Sequence, residues 1–206
     1  MSFTLRRTVL PALAGLCFGV GAVSTEAAAR AIKIVALGDS NFGAPRVAPS
    51  EAYPAQLERA LRARGFDVSV KNAGINGDTT MGVLRRMNSD VPQDTDIVLL
   101  SIGINDIRVH NDSPENTRAR VSQIAGQLKA RGIQVIDLGS GKVFQGSIAD
   151  RCDYHVECSA PGQTGPVPGT TRWHLNPAGY GVVVNRTLPQ VIDAIRKAQK
   201  KSAPTG

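Results

Sequence analysis

The 206-residue sequence has no apolar run as long as the ~20 residues a membrane-spanning helix needs, no block of like charges and no internal repeat. It also lacks a basic stripe interleaved with aromatics, which argues against nucleic-acid binding. The glycine-flanked turn Gly38-Asp39-Ser40-Asn41-Phe42-Gly43 carries neither the Walker nor the dinucleotide spacing, so a nucleotide-binding domain is not expected. Cysteine is scarce, with three residues in all. Cys152, His155 and Cys158 want a fourth ligand at a usual zinc spacing, so no metal is assigned to them. Cys152 and Cys158 read instead as a disulfide closing a small loop, with free thiols as the alternative.

What is present begins with a secretory pattern. Arg6 and Arg7 form a charged start, Val9 to Val23 an apolar stretch broken by Pro11 and glycines, and Ala27-Ala28-Ala29 a small-residue cleavage site. Residues 1–29 are read as a signal peptide, with a membrane anchor as the competing reading, and residues 30–206 as one domain large enough to fold without a staple. The expected location is periplasmic or secreted, with no stable membrane insertion after cleavage. Losing Arg6, Arg7 and Glu26 lowers the formal charge by one from +7. A modest positive field suits anionic lipid or cell-wall substrates, and equally a plain soluble basic protein.

Strand-like and helix-like segments alternate through the rest. Three apolar runs each end on a residue suited to acyl-transfer chemistry: Ile32 to Leu37 before Gly38-Asp39-Ser40, Val68 to Asn72 before Gly77, and Ile97 to Ile102 before Gly103-Ile104-Asn105-Asp106. The third run is nearly unbroken, as in a parallel strand buried on both faces. Between them a helix capped by Ser50 is expected to run to about Arg64, and a second to start at Asp78-Thr79-Thr80. A third opens at Ser113-Pro114-Glu115 and stops at Gly132. Ile133 to Leu138 make a fourth strand. Residues 139 to 173 hold six glycines and three prolines and read as a long ordered loop. Two C-terminal helices are expected, at about Pro177 to Arg186 and Pro189 to Lys200.

With helical crossovers the strands are parallel and their carboxyl ends share one edge, where open α/β sheets hold their sites. Ser40, the Gly77 amide and the Asn105 amide would converge there, with His174 of Arg172-Trp173-His174-Leu175-Asn176 as proton acceptor. Each has a structural alternative: Ser40 or Asn105 as a helix cap, Gly77 as a turn residue. His110 and His155 lack a matching context.

Read in order, Gly38-Asp39-Ser40, Asn72 to Thr79, Gly103 to Asp106 and His174 to Tyr180 resemble the four blocks of the SGNH (GDSL) hydrolase superfamily. Glu51 to Leu57 resembles the first helix of its bacterial periplasmic thioesterase/lysophospholipase (arylesterase) branch. The resemblance covers about residues 32 to 188 and implies a three-layer α/β/α sandwich on a flavodoxin-like parallel sheet of four to five strands. It implies a Ser40 nucleophile, a His174 general base and an oxyanion hole made of Ser40, Gly77 and Asn105. Asp39 and Asp106 take supporting roles, and no metal or organic cofactor is needed. The partner implied is a small-molecule or lipid ester: a lysophospholipid, a short-chain acyl ester or an acetylated saccharide.

The chain departs from that pattern at three places. Thr171 stands where the family has the aspartate that orients the histidine. A Ser-His dyad helped by Thr171 or a carbonyl, a carboxylate from Asp150, Asp153 or Glu157, and an impaired site, or a non-catalytic binding protein on the same fold, are the open readings. Asn41 replaces a leucine. Only one clear strand lies between Asn105 and His174, so the end of the usual five-stranded sheet looks shortened or replaced by the 139–173 loop.

Overall fold

Strand β1 (Ile32–Gly38) is buried at every position but Lys33, because it has a hydrogen-bonded neighbour on each side and helices on both faces. The computed structural model describes residues 30–45, 47–138, 154–155 and 174–202. β1 pairs in parallel with β2 (Val68–Gly74) and with β3 (Ile97–Ser101). β3 pairs with β4 (Gln134–Asp137), and β4 with the two-residue β5 (Tyr154–His155), also in parallel. The order is β2-β1-β3-β4-β5, the flavodoxin-like doubly wound arrangement.

The period-two alternation of the strands sorts their side chains into two cores. Ile32, Ile34 and Ala36 of β1 face one layer with Ile97, Leu99 and Ile136; Val35 and Leu37 face the other with Val98, Leu100 and Val135. Helices α2 (Tyr53–Arg62) and α6 (Pro177–Ser202) cover the first face through Leu57, Leu61, Val184, Val191 and Ile195. Helices α3 (Thr80–Asp90) and α5 (Pro114–Ala130) cover the second through Val83, Met87, Val121, Ile124 and Leu128. A three-layer α/β/α sandwich results. Each fully buried Leu or Ile contributes about 1.5–3 kcal/mol.

Local signals set most helix ends. Thr79 caps α3 by accepting from Gly82 N–H, and Ser113 caps α5 by accepting from Asn116 N–H with Pro114 next to it. Two expectations are corrected. Ser50 is not a cap: it lies in a 3₁₀ turn, Pro49–Glu51, and α2 starts only at Tyr53 with no side-chain cap. The two expected C-terminal helices are one, α6, which runs through Pro189. Proline there removes one intrahelical donor, yet flanking residues bury Leu188 and Val191 in the core. The Thr187 hydroxyl donates to Val183 O at 3.0 Å and accepts from Tyr53 OH at 2.8 Å.

The strand read between Asn105 and His174 has a short companion, β5, on the sheet edge. Cys152, Cys158, Asp150, Asp153, Glu157, Thr171, the signal segment 1–29 and the rest of 139–173 apart from β5 lie outside the described residues.

Candidate active site

The last row of the sheet aligns Gly74, Gly38 and Ser101 on β2, β1 and β3, so the chain leaves three adjacent strands at the same level. From Gly38 it turns at once into a one-turn helix, α1 (Ser40–Gly43), capped by Asp39, whose carboxylate accepts from Asn41 N–H at 2.9 Å. Asp39, not Ser40, is thus the cap. Ser40 is the first helical residue and half-buried, and its backbone N–H has no intrahelical partner at that position. Ala44 closes the turn in the left-handed region (φ 46°), its N–H donating to Ser40 O.

α1 is pressed onto β2. A Cβ on Gly74 would meet the Gly43 backbone nitrogen and lie 2.6 Å from Phe42 Cβ, and one on Gly43 would meet Asn76. Asn72 Nδ2 donates to Phe42 O at 2.8 Å, and Asn41 Nδ2 donates to Ser101 Oγ at 3.1 Å. The nucleophile candidate is therefore held by both neighbouring strands.

Gly77 sits at the third position of the turn closed by Asp78 N–H donating to Ile75 O at 3.1 Å, with φ 78°. That is a type II geometry, whose positive φ favours glycine although the space around it is open. Asn105 lies in the short helix α4 (Ile104–Arg108), entered through Gly103 at φ 114°. Its Nδ2 donates to Asp78 O at 2.8 Å, so the amide is oriented beside the Gly77 turn and keeps its second N–H. No hydrogen bond engages the Ser40 or Gly77 N–H among the described residues. His174 is half-buried in the segment just ahead of α6. The first turn of α6 brings Tyr180 against the Asp39 region, where burial first and then the Asp39 charge push its phenol up to about 12.

Asp106 is buried and accepts from Thr80 N–H at 3.0 Å and from the Thr80 hydroxyl. A carboxylate there complements the amino end of α3 and ties it to α4. Two arginines complete the frame, and the sequence reading passed over both. Arg120 donates to Thr80 Oγ1 at 2.6 Å and pairs with Asp106 and Asp112. Arg86 donates to Gly38 O and Ala73 O, both at 2.9 Å, and pairs with Asp78 and Asp90. The signal was there: an arginine beside Met87 on the inward face of an amphipathic helix, four residues before an aspartate.

Asp39 is fully buried, and its Oδ2 has no partner. Burial first, and then the charges of Asp78 and Asp106, push its carboxyl up to about 7, against the opposing pull of the Asn41 N–H. The arrangement as a whole is a hydroxyl at a helix start beside fixed neutral N–H dipoles, suited to a developing oxyanion.

Comparison with known proteins gives a consistent result. Residues 36–203 match the GDSL-like Lipase/Acylhydrolase family. Esterase TesA of Pseudomonas aeruginosa is 29% identical over 124 residues, 60% of each chain. An arylesterase of Vibrio mimicus is 32% identical over 105 residues, 50% of this chain and 52% of its own. The chain thus spans between half and two thirds of the length of these relatives. Among solved structures, a psychrotrophic esterase, EstA, from Pseudoalteromonas sp. has a TM-score of 0.66 at 17% identity, covering 80% of this chain and 98% of its own. The crystal structure of TesA gives 0.66 at 20% identity, with coverages of 79% and 99%. At such identity these structures share the fold.

Proposed function

This chain belongs to the GDSL-like lipase/acylhydrolase family, and from that premise we propose that it is an exported serine esterase acting on acyl esters or thioesters. Ser40 Oγ attacks the carbonyl carbon while His174 takes its proton. The tetrahedral oxyanion rests on Ser40 N–H, Gly77 N–H and the Asn105 amide. His174 then protonates the leaving alcohol or thiol, and water releases the acid from the acyl-enzyme. Asp39 and Asp106 hold the loops in place. The substrates favoured are lysophospholipids or short-chain acyl esters, in keeping with similarity to an esterase and an arylesterase. An acetylated saccharide is the alternative substrate.

One observation supports this reading: the Ser40 and Gly77 N–H groups are unengaged among the described residues and the Asn105 amide is oriented by Asp78 O, all on segments that leave the carboxyl ends of β1, β2 and β3. A chain-length series of p-nitrophenyl esters, run with Ser40→Ala and His174→Ala, tests it. Turnover by the parent and its loss in both variants is the expected result, together with fluorophosphonate labelling that requires Ser40. Thr171, where an orienting aspartate would stand, favours a second reading, a non-catalytic binding protein on the same fold. Failure of the probe to label the parent protein would select that reading.

A further inference from the structure

Three large apolar side chains are exposed among the described residues: Ile75 at 50%, Met81 at 47% and Val109 at 64%. Single exposed apolar residues are ordinary. These three are not scattered. Ile75 N–H donates to Gly38 O at 3.0 Å, one residue from Asp39. Met81 follows Thr80, which is bonded to Asp106. Val109 N–H donates to Asn105 O at 3.0 Å. All three therefore stand on the loops and helix ends that follow β2 and β3 at the carboxyl edge of the sheet.

The charges there are sorted by depth. Asp78 faces Arg86, and Asp106 and Asp112 face Arg120, all turned toward the interior frame. Arg85, one turn after Met81 on α3, and Arg108, beside Val109, are exposed. Apolar knobs flanked by outward cations, on a chain of net charge +7, match a surface with an apolar interior and anionic headgroups. No described helix is long and apolar enough to cross a membrane, so such contact would be peripheral.

We propose that Ile75, Met81 and Val109, with Arg85 and Arg108, form a docking surface that seats the carboxyl edge of the sheet on an anionic lipid aggregate. This deepens the proposed function, because it says where an acyl ester is met. The binding it describes needs no turnover.

The test is co-sedimentation of the Ser40→Ala protein with vesicles of phosphatidylglycerol and phosphatidylcholine, or of phosphatidylcholine alone. Binding to the anionic vesicles is expected, and the triple change Ile75→Ser, Met81→Ser and Val109→Ser should weaken it on the order of a hundredfold. Arg85→Gln with Arg108→Gln should weaken it about fivefold per arginine and abolish the preference for anionic lipid. Should the triple variant fail to fold, by its urea midpoint, the arginine pair still decides. Absence of binding to anionic vesicles, or variants that bind as the parent does, would overturn the proposal. Because the measurement uses a protein without its nucleophile, loss of ester turnover elsewhere leaves this result readable.

Discussion

Replacing Asp39 with asparagine should flatten the pH dependence of stability between about pH 4 and pH 7. In the folded protein the carboxyl titrates at about 7, against an ordinary value of 3.8. Between those two values the unfolded chain has released a proton that the folded chain retains, so the folded state binds more protons and stability falls as pH rises. Below the lower value both states are neutral, and above the upper one both are ionised. A separation of about three units corresponds to about 4 kcal/mol across that window. Asparagine keeps an acceptor for Asn41 N–H and does not titrate. Urea unfolding of both proteins in steps from pH 4 to pH 8.5 gives a difference curve free of the other titrating groups. The parent should lose about 4 kcal/mol relative to the variant by pH 7 and no more beyond pH 8. A flat difference curve would refute the argument. A gain by the parent would mean that the Asn41 N–H outweighs burial.

Asn105→Ala should lower kcat by about 10²–10³ with little change in KM, as expected for a donor that acts on the oxyanion; steady-state kinetics on a p-nitrophenyl ester would show it. Gly74→Ala places a methyl group against the backbone of Gly43 and 2.6 Å from Phe42 Cβ. It should push α1 off β2, with a lower melting temperature and a greater loss of turnover than the lost stability explains. Arg86→Met removes the cation that pairs with Asp78 and Asp90 and the side-chain donor to Ala73 O, leaving Gly38 O with the Ile75 N–H alone, at a cost of about 3–5 kcal/mol by urea unfolding. Arg86→Lys should restore little, because one ammonium cannot reach Gly38 O, Ala73 O and two carboxylates at once.

Much of the architecture was readable because buried parallel strands are apolar almost throughout. Ile97 to Ser101 is the plainest case, and Thr79 and Ser113 announced their helices by capping chemistry. Ser50 misled because proline and serine before an apolar face imitate a cap, while the actual backbone first makes a 3₁₀ turn. Pro189 misled in the opposite sense, since tertiary burial of Leu188 and Val191 holds α6 continuous across a residue that would end an isolated helix. At the site, the short blocks around Ser40, Gly77 and Asn105 were visible as motifs. The lattice that fixes them was not, because Arg86, Arg120 and the Gly43–Gly74 approach depend on contacts between segments distant in sequence. The elevated titration of Asp39 belongs to the same class, since it arises from burial first and then from the charges of Asp78 and Asp106, which are distant in sequence.

The pairing of β1 with both β2 and β3 carries a consequence for biogenesis. The earliest described strand to leave the ribosome waits for partners that lie 36 and 63 positions later in its register. One face of it has only α2 over it until α6, the last described helix, has been synthesised and contributes Val184, Val191 and Ile195. Nascent intermediates therefore display sticky aliphatic surface for most of translation, and a holdase that masks this surface should improve the yield of native protein more than one acting after chain release.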